Sequence, residues 1–226
     1  MVKKIKFHSF KLTFILIFTL FNITLANASV GLETTRLIYN ENDKSGSLVA
    51  FNNNKELNYL IQSWIVDKDN NLSDDFIVTP PVLKVQALNK NTLDITKIIS
   101  LPDNQESLYW VNVKFIAPGN KNDENVLRYT IINKIKLIYR PTVLKDLIPE
   151  KAVEQLTVKT NNGFVSIYNP TGVYINLSGA LDGDKKIETP SYIEPFSEIK
   201  VSAHLNKSFS INYINDLGKV LNHQFN

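Results

Sequence analysis

The residues of this chain best able to do chemistry are few and poorly arranged for it. Its histidines are His8, His204 and His223. The last two, which survive removal of the N-terminal leader described below, cannot fill a three-ligand zinc site unaided, and no H-E-x-x-H run is present. There is no Cys, which excludes disulfides and thiolate metal sites. The adjacent acids Asp74-Asp75 and Asp123-Glu124 lie in polar, loop-like stretches. Each reads as a solvated turn rather than a general acid–base pair. Asp182-Gly183-Asp184 resembles part of a calcium loop but lacks the other ligand positions, so it reads as a turn. No nucleophile elbow and no phosphate-cradling glycine loop occurs. Asn71-Leu72-Ser73, Asn176-Leu177-Ser178 and Asn206-Lys207-Ser208 would accept glycans only in a eukaryotic secretory pathway. The chain therefore reads as neither an enzyme nor a cofactor protein.

Two other features carry more. Lys136 interrupts the apolar run Ile135 to Tyr139, and Arg36 lies in an early extended stretch, Gly31 to Tyr39. A cation among apolar neighbours needs a wet cleft or a counter-ion, because burying a lone charge is costly. A solvent-facing strand position is the plainer alternative. The second feature is the stretch Asn125 to Arg140, far longer than the usual strand of about 5–6 residues. Pleating puts Leu127, Tyr129 and Ile131 on one face and Arg128 and Thr130 on the other. By pattern alone this is a strand buried in mid-sheet. An edge strand kept available for another chain is the functional alternative. Regular alternation also puts Lys136 on the face opposite Leu127, unless a bulge or strong twist intervenes.

The formal charge of +3, from 25 basic and 22 acidic residues, first suggests nucleic acid or an anionic membrane. Its distribution does not. Residues 1–28 hold Lys3, Lys4, Lys6 and Lys11 and no acid, then an apolar run from Leu12 to Phe21, then Ala26-Asn27-Ala28. This is a cleaved signal peptide, its apolar run too short to favour a membrane anchor. What remains has 21 basic and 22 acidic residues, a net charge of −1. No nucleic-acid partner and no membrane insertion of the mature chain is expected.

The mature chain is rich in short Val, Ile, Tyr and Phe runs, separated by Asn, Asp, Gly and Pro clusters. Examples are Leu48–Phe51, Tyr59–Val66, Ser107–Ile116, Gln155–Val158, Gly163–Tyr168, Val173–Ser178, Glu198–Ser202 and Phe209–Ile214. This spacing predicts an all-β fold of sandwiches, and no long helical period appears. A charged, proline-containing connector follows Arg140-Pro141. Residues 29–145 are expected to form one sandwich and residues 150–226 a second, smaller one.

On Leu32 to Arg36, Thr79-Pro80-Pro81, the block Leu101 to Pro118, Lys134 to Pro141 and Tyr213 to Asp216, the chain resembles the periplasmic pilus-assembly chaperones of the chaperone–usher pathway. Ala117 departs from the family, which usually has a proline there. The resemblance implies two immunoglobulin-like domains set as a boomerang, with a subunit-binding cleft between them. It implies that Arg36 and Lys136 anchor the C-terminal carboxylate of a pilus subunit, through charge-assisted hydrogen bonds that set register. It implies that Leu127, Tyr129 and Ile131 are the donor-strand residues that enter the groove of an incomplete subunit. Tyr129 is bulkier than the aliphatic residue often found there. Glu106, Arg140 and Asp216 match the family's interdomain charge cluster. The short connection from Ile116 to Val126 places the chain with the short-loop type, and Thr79-Pro80-Pro81 is a candidate cis turn. The implied partners are fimbrial subunits and an outer-membrane usher, with self-association of the free protein through its exposed strand, and the implied location is the periplasm. A secreted immunoglobulin-like adhesin or a pilus subunit is the alternative. A carbohydrate-active enzyme on a β-sandwich would need paired carboxylates in a cleft.

Overall fold

Alternation of side chains builds the sheets. Every second residue is buried along Gly46–Asn52 (β3), and the same holds for Tyr59, Ile61, Ser63 and Ile65 in Tyr59–Asp67 (β4). Such strands hide one face only by packing on a second sheet. The computed structural model describes residues 29–119, 130–161, 163–203 and 208–225, and there it is two such sandwiches.

In the first, Val30–Leu32 (β1), β3, Asn89–Lys97 (β7) and Phe76–Thr79 (β5) form a four-stranded sheet in that order. Facing it is a five-stranded sheet of Arg36–Asn40 (β2), Thr130–Arg140 (β9), Ser107–Ile116 (β8), β4 and Val82–Val85 (β6). Leu48, Ile61, Leu93, Val111, Leu137 and Tyr139 belong to the core between them. The Thr79–Pro80 bond that joins β5 to β6 is cis.

The sequence suggested one strand over Gly31 to Tyr39. The chain instead changes sheets there: β1 pairs with β3, and β2 pairs with β9. The break falls at Thr34, whose hydroxyl donates to the Arg36 carbonyl (2.7 Å) and accepts from the Arg36 N–H (3.4 Å). Such local side-chain bonding competes with the ladder. β7 was not anticipated because its exposed face is polar and only Leu93 and Ile95 are buried.

β9 pairs with β8 without a register shift from Thr130↔Ile116 to Tyr139↔Ser107. The bulge considered between Leu127 and Lys136 is therefore absent from the described part of the strand. Ile135, Leu137 and Tyr139 enter the first core, and Ile131 packs partly against it. Lys134, Lys136 and Ile138 take the opposite face. The strand ends at Arg140, before Pro141, as expected.

A 3-10 turn at Thr142–Leu144 and a short helix at Pro149–Val153 (α1) form the connector. The helix, unforeseen in the sequence, starts with proline at its first turn and buries Ala152 and Val153 in the second core. That sandwich sets Thr157–Asn161 (β10), Phe164–Tyr168 (β11) and Glu198–Ser202 (β15) against a larger sheet. The larger sheet holds Lys185–Ile187 (β13), Ile175–Asp182 (β12), Phe209–Ile214 (β16) and Val220–Phe225 (β17), with Tyr192–Ile193 (β14) paired to β12.

A third cluster lies between the sandwiches. Leu108, Ile138 and Tyr174 are buried there, with Ile38, Trp110 and Tyr192 packed against them. The backbones also meet: the Glu106 N–H donates to the Gly172 carbonyl at 2.8 Å. A Cβ on Gly172 would lie 2.6 Å from the Asn104 carbonyl oxygen and 3.0 Å from a Leu144 methyl. Only glycine permits this approach.

Candidate functional site

The parallel pairing of β2 with β9 puts Arg36 directly beside Lys136. Both side chains leave the first sandwich on its outer face and are caught by the second. The Arg36 guanidinium donates from one terminal nitrogen to the carbonyls of Asn215 (3.0 Å) and Ile214 (3.4 Å). Its Nε is buried and has no hydrogen-bond partner among the described residues. Lys136 Nζ donates to Asn176 Oδ1 (2.5 Å) and to the Ser191 carbonyl (3.2 Å). The ring centres of Tyr192 and Trp110 stand 4.9 and 5.7 Å from the ammonium.

Among the described residues, neither cation is paired with a carboxylate. Burial, and then the neighbouring Arg36, push the Lys136 ammonium down to about 8. Burial also lowers the Arg36 guanidinium, against the charge of Asp216. Two partly desolvated cations with donors to spare and no anion of their own make an anion-receptive pair.

Beside this pair the sheet is open. β2 covers β9 only from Lys136 to Arg140. From Thr130 to Ile135, β9 has β8 on one side and, among the described residues, no strand on the other. One strand is thus mid-sheet over one half and, among the described residues, edge over the other. Ile132 on the open half is 51% exposed. Leu127 and Tyr129 lie outside the described residues, and Ile131 is half-buried at the margin of the first core.

The expected charge cluster is assembled at the joint. Arg140 donates from Nε to Glu106 Oε1 (2.6 Å) and from its two terminal nitrogens to Asp216 (2.6 and 3.0 Å). The second Glu106 oxygen accepts from the Tyr174 N–H (2.7 Å). These are not separate surface charges: Glu106 is 1% and Arg140 5% exposed. Burial pushes the Glu106 carboxyl up to about 7, against the pull of Arg140 and the Tyr174 N–H. Burial lowers the Arg140 guanidinium, but bonding to Asp216 and Glu106 raises it further, above its usual value. The Arg140 fork thus bridges two carboxylates from different sandwiches.

The sequence did not single out Asn176, Trp110 or Tyr192 as neighbours of Lys136, nor the ion pair between Lys68 and Glu194 (3.4 Å) that spans the sandwiches. Asn176 stood out only as a glycan acceptor, and no local spacing ties it to a lysine 40 residues away. The remaining candidates are structural. Asp75 accepts from the Tyr109 hydroxyl (2.6 Å), His223 packs on Phe225, and Gly183 turns the β12–β13 hairpin with φ of 61°. Asp123, Glu124 and His204 lie outside the described residues.

Fold and site define a two-sandwich binding protein with an open strand edge beside a cation pair. The model for the N-terminal domain of the pili and flagellar-assembly chaperone PapD matches residues 29–145, and that for the C-terminal domain of the pili assembly chaperone PapD matches residues 151–225. The chain is 35% identical over 205 residues to the Escherichia coli chaperone protein FocC, covering 88% of this chain and 89% of the relative. It is 36% identical over 199 residues to chaperone protein FimC of Escherichia coli strain K12, covering 85% and 82%. A solved structure of Salmonella enterica SafA pilin in complex with the SafB chaperone aligns with a TM-score of 0.78 at 27% identity, covering 89% of this chain and 97% of that one. The crystal structure of the periplasmic chaperone SfaE aligns at 0.73 and 32% identity, covering 87% and 97%. The chain belongs to the PapD-like family of pilus-assembly chaperones. That family is non-enzymatic, and membership sets aside an adhesin, a pilus subunit or a glycosidase as readings of the two sandwiches.

Proposed function

We propose that this chaperone captures a fimbrial subunit by lending it the open half of β9 while Arg36 and Lys136 hold the subunit's C-terminal carboxylate. The observation that carries the reading is the half-covered strand: among the described residues the backbone of Thr130 to Ile135 has no strand partner on one side, immediately beside two cations that form no ion pair there. A terminal carboxylate seated on both cations fixes one end of the incoming strand. Backbone pairing along β9 then supplies affinity, and alternating side chains supply fit. Leu127, Tyr129 and Ile131 are the side chains that enter the subunit's groove. Glu106, Arg140 and Asp216 hold the two sandwiches at the angle that shapes the cleft.

In this reading residues 1–28 are removed on export, and residues 29–145 and 150–226 work as two domains in the periplasm. The loaded chaperone hands its subunit to an outer-membrane usher, where the strand of the next subunit replaces β9. No nucleotide is needed, because the subunit gains further folding in the exchange. The same open edge lets the free chaperone pair with a second copy.

The test is subunit capture. Lys136→Ala and Arg36→Ala should each abolish co-purification of a co-expressed subunit while the protein keeps its folded circular dichroism spectrum. Normal capture by both variants would refute the anchor.

A further inference from the structure

Lys136 is held by the second sandwich, through one side-chain oxygen, one backbone carbonyl and an aromatic ring. An ammonium has three donors and no acceptor. Two of the three go to Asn176 Oδ1 and to the Ser191 carbonyl, which leaves one without an acceptor among the described residues. Asn176 is 3% exposed and lies on β12, in register with Tyr192 of β14, so one strand pair supplies both the amide and an aromatic wall. Among the described residues, Asn176 provides the only side-chain oxygen bonded to this ammonium.

The choice of a neutral amide has consequences. An aspartate there would neutralise the lysine. An apolar residue would take away an acceptor from a partly buried charge. The charged and titratable groups around the pocket are Arg36 on β2, Lys134 on β9 (over the Trp110 ring at 4.7 Å), Tyr192 on β14, Tyr174, and beyond them Glu194 with its partner Lys68 and Asp69. None of them forms an ion pair with Lys136.

We propose that Asn176 is a positioning residue of the carboxylate anchor: it fixes the Lys136 ammonium at one point in the cleft and leaves its charge and its last donor for the incoming carboxylate. This rests on the reading of Arg36 and Lys136 as that anchor. It also makes the anchor a property of both sandwiches. The lysine comes from one and its positioning amide from the other, so the site exists only while the joint at Glu106, Arg140 and Asp216 holds.

The experiment uses the full mature chain and a synthetic peptide with the C-terminal sequence of a pilus subunit, made as the free carboxylate and as the amide. Affinities are measured by calorimetry from neutral to alkaline pH, and the Lys136 ammonium is titrated by NMR. The wild type should prefer the carboxylate peptide. Asn176→Ala should weaken that peptide roughly tenfold, the scale of one hydrogen bond to a charged group, and leave the amide peptide unchanged. Asn176→Asp, which keeps the side chain's shape, should erase the preference and move the Lys136 midpoint upward by about a unit or more. A wild-type preference and midpoint retained in both variants would overturn the inference. If the wild type itself does not discriminate, the anchor reading fails instead. The Lys136 midpoint in Asn176→Asp then still decides the contact: an upward shift supports it and no shift removes it.

Discussion

Removing the Arg140 side chain tests how the two sandwiches are joined. Arg140→Ala leaves Glu106, 1% exposed, with the Tyr174 N–H as its remaining hydrogen-bond donor. Stripping one partner from a buried pair costs about 3–5 kcal/mol. That is a large share of the ~5–15 kcal/mol that holds a typical protein folded. Asp216 adds less, because its side chain is 25% exposed and can turn to water.

The loss should depend on pH, and its sign follows from Glu106. Its folded value of about 7 lies above the ordinary 4.5, with burial outweighing Arg140. The folded chain thus takes up a proton between those limits that the unfolded chain does not. Stability from this group is present at low pH and is lost as pH rises through about 7. Without Arg140 the carboxyl is pushed higher still, so the variant should be weakest at mildly alkaline pH and recover partly in mild acid. Urea unfolding in a Trp64→Phe background, where Trp110 is the remaining tryptophan and reports the interdomain cluster, followed by fluorescence and by far-ultraviolet circular dichroism, would measure both effects. The two probes should separate as the sandwiches uncouple. Glu106→Gln combined with Arg140→Met should restore part of the loss, because no buried charge is then left alone. An unchanged midpoint for Arg140→Ala at both pH values would refute the reasoning.

Two further outcomes are expected. Because Lys136 is held down to about 8, a carboxylate-terminated peptide should bind about tenfold more weakly for each pH unit above that value, until the bound state also loses its proton. Calorimetry with an amide-terminated control, which should show no such slope, measures this. Gly172→Ala should destabilise the joint by roughly 1–3 kcal/mol, since its Cβ meets a backbone carbonyl at 2.6 Å that cannot swing aside. A thermal midpoint equal to that of the wild type would contradict the close approach.

Much of the fold can be read from alternation and turn residues. Glu198–Ser202 and Phe209–Ile214 occupy the expected residues because apolar and polar positions alternate along them between clear breaks, and Ser107–Ile116 does so as a run rich in Val, Tyr, Trp and Phe. Strand β7 escaped because Asn89-Lys90-Asn91 opens it and only two of its residues are buried. The sheet change at Thr34 escaped because it is made by a side-chain hydrogen bond rather than by glycine or proline. The site is harder to see. Arg36 and Lys136 are 100 positions apart, and their adjacency comes from a parallel pairing that neither segment encodes alone. The resemblance to known chaperones drew them together, and the structure supplies their uncharged acceptors, Asn176 and the carbonyls of Ser191, Ile214 and Asn215.

The central claim is that the open half of β9 is the strand lent to a subunit. Amide hydrogen exchange across Thr130 to Ile135, measured for the free chaperone and for its complex with a pilus subunit, tests it most directly. The amides that point away from β8 should exchange quickly in the free protein and slow by about a hundredfold or more in the complex, as expected for edge groups that gain a partner strand. Amides already protected in the free chaperone, or unchanged on capture, would contradict the account.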